Sequence, residues 1–337
     1  MEEMKKQVGS TTALFGLVTG PLTLASHLRG TRFFMDMIKN KDYSKALISY
    51  TTKVAKIMSG MYIDAGMDVV AIVDPVISQI SPRMFYELLG ASFSQLFARI
   101  RDQGRFSSFF VCGDATKNIQ PMCNTKPGSI FVDENVNMHA AKKITGASGI
   151  ILGGNIPLTS VMLYGTQQDN MKYVIDLIDE IGRKHLIIAP GCDMPYDIPP
   201  ANVVGVIQAL AEPRKVRKML EDYRVEEMDI DVSLPDYSKL DHLLIEVFTI
   251  DSATCPACGY MKSTAMTATG EFGHAVRIIE RKWTDRENIA IAKKLGIKHL
   301  PCMLFNGRIQ YSSLIPSKDE FFKDIHEFLS RMDEKGE

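Results

Sequence analysis

The chain has 337 residues, 45% hydrophobic and 23% charged, with 39 basic against 40 acidic side chains and a formal net charge of −1. That composition is globular and excludes whole-chain disorder, collagen or coiled coil. The near-zero charge gives no electrostatic case for nucleic acid or an acidic membrane surface. No apolar run reaches the roughly 18 residues of a membrane helix, and the start MEEMKKQVGS lacks the apolar core of a signal peptide. The expectation is a cytoplasmic protein. Six cysteines are too few for a disulfide scaffold, and nineteen methionines read as core filling.

In chain order, the first 212 residues alternate β-type apolar runs with helical patterns. Strands are expected at 13–18, 68–73, 107–112, 129–132, 149–152 and 185–189, and helices at 43–65, 82–103, 170–182 and 201–210. Such alternation predicts a parallel sheet covered by helices. A (β/α)₈ barrel has eight strands and about 250 residues. Six strands fit either a barrel lacking two amino-terminal units or an open sheet, and the pattern leaves both standing. Residues 213–241 are charged, carry Pro213 and Pro235, and read as a helix and linker. From 242 to 337 a second α/β pattern begins. LLIEVFTI and AVRIIERKW read as strands, CMLFNGRIQYSS as a hairpin turning at Asn306-Gly307, and residues 318–332 as a closing helix.

Parallel α/β proteins collect their chemistry where strands end. The residues following the six expected strands are Thr19-Gly20-Pro21, Asp74-Pro75, Cys112-Gly113-Asp114, Asp133-Glu134, Gly153-Gly154-Asn155 and Gly191-Cys192-Asp193. Turn residues would populate any rim. Two cysteines and several carboxylates on one face point further, to an active site. Cys112 and Cys192 are either soft metal ligands or buried free thiols. Zinc accepts cysteine, histidine and carboxylate, and would lower the pKa of a thiol substrate. His27, on what reads as a loop over residues 19–28, faces the site or packs as an ordinary histidine. Cys123 reads as structural.

The runs Thr19-Gly-Pro-Leu-Thr-Leu-Ala-Ser-His27-Leu28, VVAIVDPVISQISP, FVCGDAT, FVDENV, GGNIP and APGCDMP resemble the uroporphyrinogen decarboxylase superfamily. Within it, they are most similar to the corrinoid-dependent branch, the methylcobamide:coenzyme M-type methyltransferases. The resemblance covers residues 12–210 and implies a TIM-type barrel, here incomplete at its amino end. From their strand-end positions, His27, Asp74, Asp133, Asn155 and Asp193 are the candidate substrate-binding residues. The methyltransferases carry a His-x-Cys-Gly motif and a later Gly-Cys as zinc ligands. Cys112 and Cys192 match the cysteines, and Phe110 stands at the histidine, leaving Asp114, Glu134 or His27 to fill the metal shell. The cobamide would come on a partner corrinoid protein. The decarboxylases' arginine-rich motif and catalytic aspartate have no counterpart here, and His27 and Cys192 replace their tyrosine and histidine.

The last segment resembles the thioredoxin/glutaredoxin superfamily through Thr254-Cys255-Pro256-Ala257-Cys258 opening a helix and His299-Leu300-Pro301 before a hairpin. The resemblance implies a nucleophilic Cys255, a resolving Cys258 and a cis Pro301 beside them; half of a zinc knuckle is the other reading of the pair. A thiol at a helix amino terminus is favoured as thiolate. Three functions follow as expectations. One is methyl transfer between a methylcobamide and a thiol or similar acceptor. Another is thiol–disulfide exchange by the CPAC pair, with a disulfide of Cys112 and Cys192 among its substrates. The third is a decarboxylase-like or non-catalytic subunit completed by a separately encoded amino-terminal half or a second copy.

Overall fold

The computed structural model describes residues 1–30, 32–225, 230–253 and 255–336. The chain divides into two units, Met1–Tyr223 and Arg224–Glu337.

Unit 1 opens with α1 (Glu2–Val8), then β1 (Phe15–Thr19), α2 (Pro21–Arg29), α3 (Arg32–Lys39) and α4 (Lys41–Asp64). Next come β2 (Val69–Val73), α5 (Pro82–Leu88), α6 (Gly90–Asp102), β3 (Phe106–Val111), α7 (Ile119–Asn124) and β4 (Ser129–Val132). It closes with α8 (Met138–Ala147), β5 (Ile151–Ile156), α9 (Gln167–Ile181), β6 (Leu186–Pro190), α10 (Pro200–Ala211) and α11 (Pro213–Met219). The six strands pair in parallel in the order β1-β2-β3-β4-β5-β6.

That order is informative. Right-handed crossovers that always advance the same way put every helix on one face of the sheet. A doubly wound sheet would reverse direction at its midpoint. The side chains agree. Along β1 burial alternates, with Gly16 and Val18 buried and Phe15 and Leu17 38% and 55% exposed. A Cβ on Gly16 would meet the Tyr62 ring of α4, so the buried set faces the helices. In β3, Phe109 faces them too: its ring lies 4.4 Å from Phe93 and 5.3 Å from Phe97, both on α6 and fully buried. Phe110 points the other way and stacks on Phe131 at 4.1 Å, with Phe15 against both. The free face is the interior side of a TIM-like barrel.

Three local expectations are corrected. Residues 21–29 form α2 rather than a loop, because Pro21 at the first helical position pre-sets φ for the helix. The 82–103 pattern is two helices: Ser81 caps α5 by accepting Met84 N–H, and Leu89 leaves helical geometry between them. Gly153-Gly154-Asn155 lies within β5 rather than after it. The glycines are there for space, since a Cβ on Gly153 would strike the Phe131 ring and one on Gly154 the Val132 carbonyl.

Unit 2 contains β7 (Leu243–Thr249), α12 (Pro256–Phe272), β8 (Val276–Lys282), α13 (Arg286–Lys294), β9 (Cys302–Phe305), β10 (Arg308–Ser312) and α14 (Lys318–Gly336). The sheet order is β10-β9-β7-β8, with β7 parallel to β8 and antiparallel to β9. All of β7 is buried, as a strand covered on both faces must be. Leu243, Ile245 and Val247 pack with Met261 and Ala265 of α12 and Phe321 of α14. Phe248 on the opposite face packs with Ile291 and Ala292 of α13. Buried Glu246 is neutralised by Arg281 Nε at 2.6 Å and accepts the Tyr237 hydroxyl at 2.7 Å. Among the described residues no helix is long and apolar enough to cross a membrane.

The two faces of β3 predict different costs. Phe93→Ala, in the helix-side cluster, should lose about 3–5 kcal/mol. Phe106→Ala, at a 72% exposed position, should lose less than about 0.5 kcal/mol. Denaturant unfolding of both variants checks the contrast, and equal losses would contradict the assignment of faces.

Candidate functional site

The carboxyl ends of β1 to β6 converge on one rim. Asp74, directly after β2, is fully buried. Its carboxylate accepts Leu22 N–H and Thr23 N–H at 2.9 Å each and the Thr23 hydroxyl at 2.6 Å. These are otherwise unpaired donors at the start of α2. Gly20 allows this approach, since any Cβ there would run into the Asp74 carboxyl. Burial pushes Asp74 up to about 7 despite those donors. Asp74 thus anchors α2 to β2, and its acceptor sites are engaged with the fold rather than left for substrate.

Asp133 and Glu134 follow β4. Asp133 accepts the Gly113 N–H, and Asn135 N–H at 2.9 Å. Gly113 sits at φ +80°, where a Cβ would meet Ser78 Oγ. Burial lifts Asp133 to about 6, outweighing the hydrogen bonds from Asn135 and Gly113. Glu134 accepts Leu158 N–H at 2.7 Å, and burial lifts it to about 7, with the neighbouring Asp133 charge adding to the effect. Two adjacent carboxyls that titrate near neutrality are suited to proton transfer. Asp114 is half-buried and caps the next turn by accepting Thr116 N–H at 3.1 Å.

Asn155 is buried and spent on structure. Its amide donates to the carbonyls of Asp133 and Val136 at 2.9 Å each, and its Oδ1 accepts the Tyr173 hydroxyl at 2.8 Å. It pins the turn carrying Asp133 and Glu134. Nothing in the sequence singled out Thr23 and Tyr173, which hold the rim. The signal for Thr23 was available in its position two residues after Pro21. His27 does not join the group: it is exposed in the last turn of α2, six residues and about 9 Å of helix from Pro21. Asp193 is exposed on the loop after β6.

Cys112 and Cys192 are bonded to each other as a disulfide, with Cα atoms 6.1 Å apart. This changes the expectation of metal ligands, because a disulfide sulfur offers no thiolate to a cation. Phe110, at the position where zinc enzymes of the resembling branch carry histidine, is stacked on Phe131. Among the described residues no three His, Cys, Asp or Glu side chains assemble into a metal-binding group. With the two cysteines bonded to each other and Phe110 at the histidine position, the donors zinc would take from these residues are not presented.

In unit 2, Cys255 stands at the cap of α12, half-exposed, and its sulfur accepts Cys258 N–H at 3.4 Å. Cys258 is buried, and its hydrogen bond to Cys255 and its burial hold its proton well above the ordinary thiol range. Thr254, part of the expected motif, lies outside the described residues. The Leu300–Pro301 peptide is cis. Cys302 is buried, and burial pushes its thiol up to about 12. Burial alone would raise Glu280, but hydrogen bonds from Lys262, Ser252 and Thr249 bring it down to about 2.

With the geometry in place, sequence comparison assigns the class. The uroporphyrinogen decarboxylase (URO-D) family model matches residues 1–213, and the chain belongs to that family. Its relatives include the methylcobamide:CoM methyltransferase of Methanosarcina acetivorans, 22% identical over 215 residues, 61% of this chain and 60% of that protein. Another is the methylcobamide:CoM methyltransferase of Methanosarcina barkeri, 27% identical over 213 residues, 62% of this chain and 61% of that protein. Among solved structures, a methyltransferase from Methanosarcina mazei shares the fold with a TM-score of 0.58 at 23% identity, over 63% of this chain and 62% of that one. The chain spans about three fifths of the length of the curated relatives it matches.

The raised carboxyls predict the pH dependence of stability. Asp74, Asp133 and Glu134 hold protons more tightly folded than unfolded, where ordinary values are 3.8, 3.8 and 4.5. Their contribution is complete below the ordinary carboxyl range and is lost as pH rises through about 6 to 7. The thermal midpoint should therefore rise between pH 8 and pH 5.5. A midpoint that falls over that interval would contradict the burial of these groups.

Proposed function

We propose that unit 1 transfers a methyl group between a methylcobamide, carried on a corrinoid protein, and a thiol or similar acceptor bound at the strand ends. The observation that carries this reading is the Asp133–Glu134 pair, a buried and a half-buried carboxyl pushed up to about 6 and about 7 at the carboxyl end of β4. Membership of the URO-D family and relatives named as methylcobamide:CoM methyltransferases support it.

In this reading the acceptor thiol gives its proton to Glu134 or Asp133. The resulting thiolate sulfur attacks the methyl carbon while the cobalt–carbon bond breaks with its electron pair remaining on cobalt. The carboxyl later returns the proton to solvent. General-base assistance of this kind contributes about 10²–10⁴-fold. The fold supplies orientation: Asn155 and Tyr173 fix the β4 turn, and Phe15, Phe110 and Phe131 offer an apolar wall on the interior face.

A second reading concerns unit 2, which we infer to be thioredoxin-like and to exchange thiols and disulfides through Cys255. The capped, half-exposed Cys255 with a buried Cys258 three residues on favours it. A thiolate is the attacking species in such exchange.

Methylcobalamin incubated with the reduced protein and a panel of small thiols, coenzyme M and homocysteine among them, tests the first reading by mass detection of the methylated thiol. The expected result is one methylated product, with Glu134→Gln about 10²-fold slower and Cys255→Ser unchanged. Absence of product with every thiol would overturn methyl transfer to thiols. Disulfide reduction that survives Cys255→Ser would overturn the second reading.

A further inference from the structure

The Cys112–Cys192 bond joins residues 80 positions apart. Cys112 follows β3 and Cys192 follows β6, with β4 and β5 between them in the sheet. Strand neighbours lie about 4.8 Å apart, so the two strands stand roughly 14 Å apart along a flat sheet. A 6.1 Å Cα separation therefore means that the loops after β3 and β6 fold inward over the end of β4. The neighbouring contacts agree. Asp133 accepts the N–H of Gly113, next to Cys112. Gly191, next to Cys192, is packed so closely that a Cβ there would lie 3.0 Å from Glu134 N.

The bond is not the sole tie on these loops. The first is tied by Gly113 to Asp133, and the second by Gly191 N–H to the Ile156 carbonyl at 3.0 Å. It is also open to attack: both cysteines are half-exposed, whereas Cys123, Cys258 and Cys302 are buried. Two carboxyls lie on the turn between the two cysteine loops.

We propose that Cys112 and Cys192 form a reversible two-electron redox site on unit 1, a thiol–disulfide exchange centre whose reaction partner is a vicinal dithiol. A thiolate of the dithiol attacks one sulfur, the Cys112–Cys192 bond breaks, and a mixed disulfide forms while the leaving cysteine thiolate takes a proton. The second thiol of the partner then attacks the mixed disulfide. It releases the other cysteine, which also takes a proton, and leaves the partner as a disulfide. Two electrons and two protons pass to the pair. The partner's two thiol protons go to solvent, and the two released cysteine thiolates take their protons from solvent, so the exchange balances. Cys255 and Cys258 of this chain are one dithiol of the required class. The proposal stands apart from methyl transfer and does not depend on it.

The test is a redox titration of the full chain, and of its Cys255→Ser/Cys258→Ser variant, in buffers of oxidised and reduced dithiothreitol. Free thiols are trapped with a maleimide and located by peptide mass mapping, and zinc uptake of the reduced protein is measured in parallel. The expected result is joint labelling of Cys112 and Cys192 in one reversible step, complete loss of that labelling on reoxidation, an unchanged far-ultraviolet spectrum and no zinc bound through the pair. A pair that reduces only when the protein is denatured would overturn the proposal in favour of a fixed staple. Two thiols that fail to pair under oxidised dithiothreitol would also overturn it. So would about one zinc per reduced chain, lost in Cys112→Ser, which would make the pair a metal centre.

Discussion

The structure of unit 1 depends on one constraint: six parallel strands paired in chain order through right-handed crossovers. Helices then cover one face only. Every strand ends on the same rim, so residues far apart in sequence meet there. Asp74, Asp133 and the Cys112–Cys192 bond are brought together by this rule rather than by local sequence. The uncovered face keeps Phe15, Leu17 and Phe106 in contact with solvent, the face that closes on itself in a TIM-like barrel.

The rim's chemistry follows from burial against limited compensation. Asp74 receives three hydrogen bonds and still stands at about 7, because its burial outweighs them. Glu280 in unit 2 shows the opposite balance. It is less buried, and its hydrogen bonds include one from Lys262 at 2.7 Å, so it falls to about 2. The same residue class is thus tuned to proton exchange in one place and to a permanent charge in the other. Glu246, wholly buried, avoids the cost of an isolated charge through Arg281.

Much of this was legible in the sequence, and the gaps have physical causes. Continuous apolar runs located the strands, Ser129–Val132 to the residue. The sequence ends the β5 run at residue 152 because Gly153-Gly154-Asn155 has turn composition, whereas the strand continues to Ile156. Close packing against Phe131 and Val132 needs those glycines inside the strand. Residues 19–28 read as a loop in the sequence, yet Thr23 bonds Asp74 across 51 residues and Ser26 is buried within α2. The strand-end rule found Cys112 and Cys192. Their pairing was one expectation among several, since 80 residues of separation carry no information on distance. His27 lies in the last turn of α2, and Asn155 turns inward to hold a backbone turn, placements that strand-end position alone does not specify.

The central claim is that the strand carboxyl ends of unit 1 are its working surface. Amide hydrogen exchange of the reduced protein, with and without methylcobalamin and a thiol acceptor, tests it most directly. The account predicts slowed exchange confined to the loops after β3, β4 and β6, at residues 112–116, 133–136 and 191–194. Protection at the opposite ends of the strands, around Asp68, Arg105 and Gly128, would contradict it, as would an exchange pattern that the ligands leave unchanged.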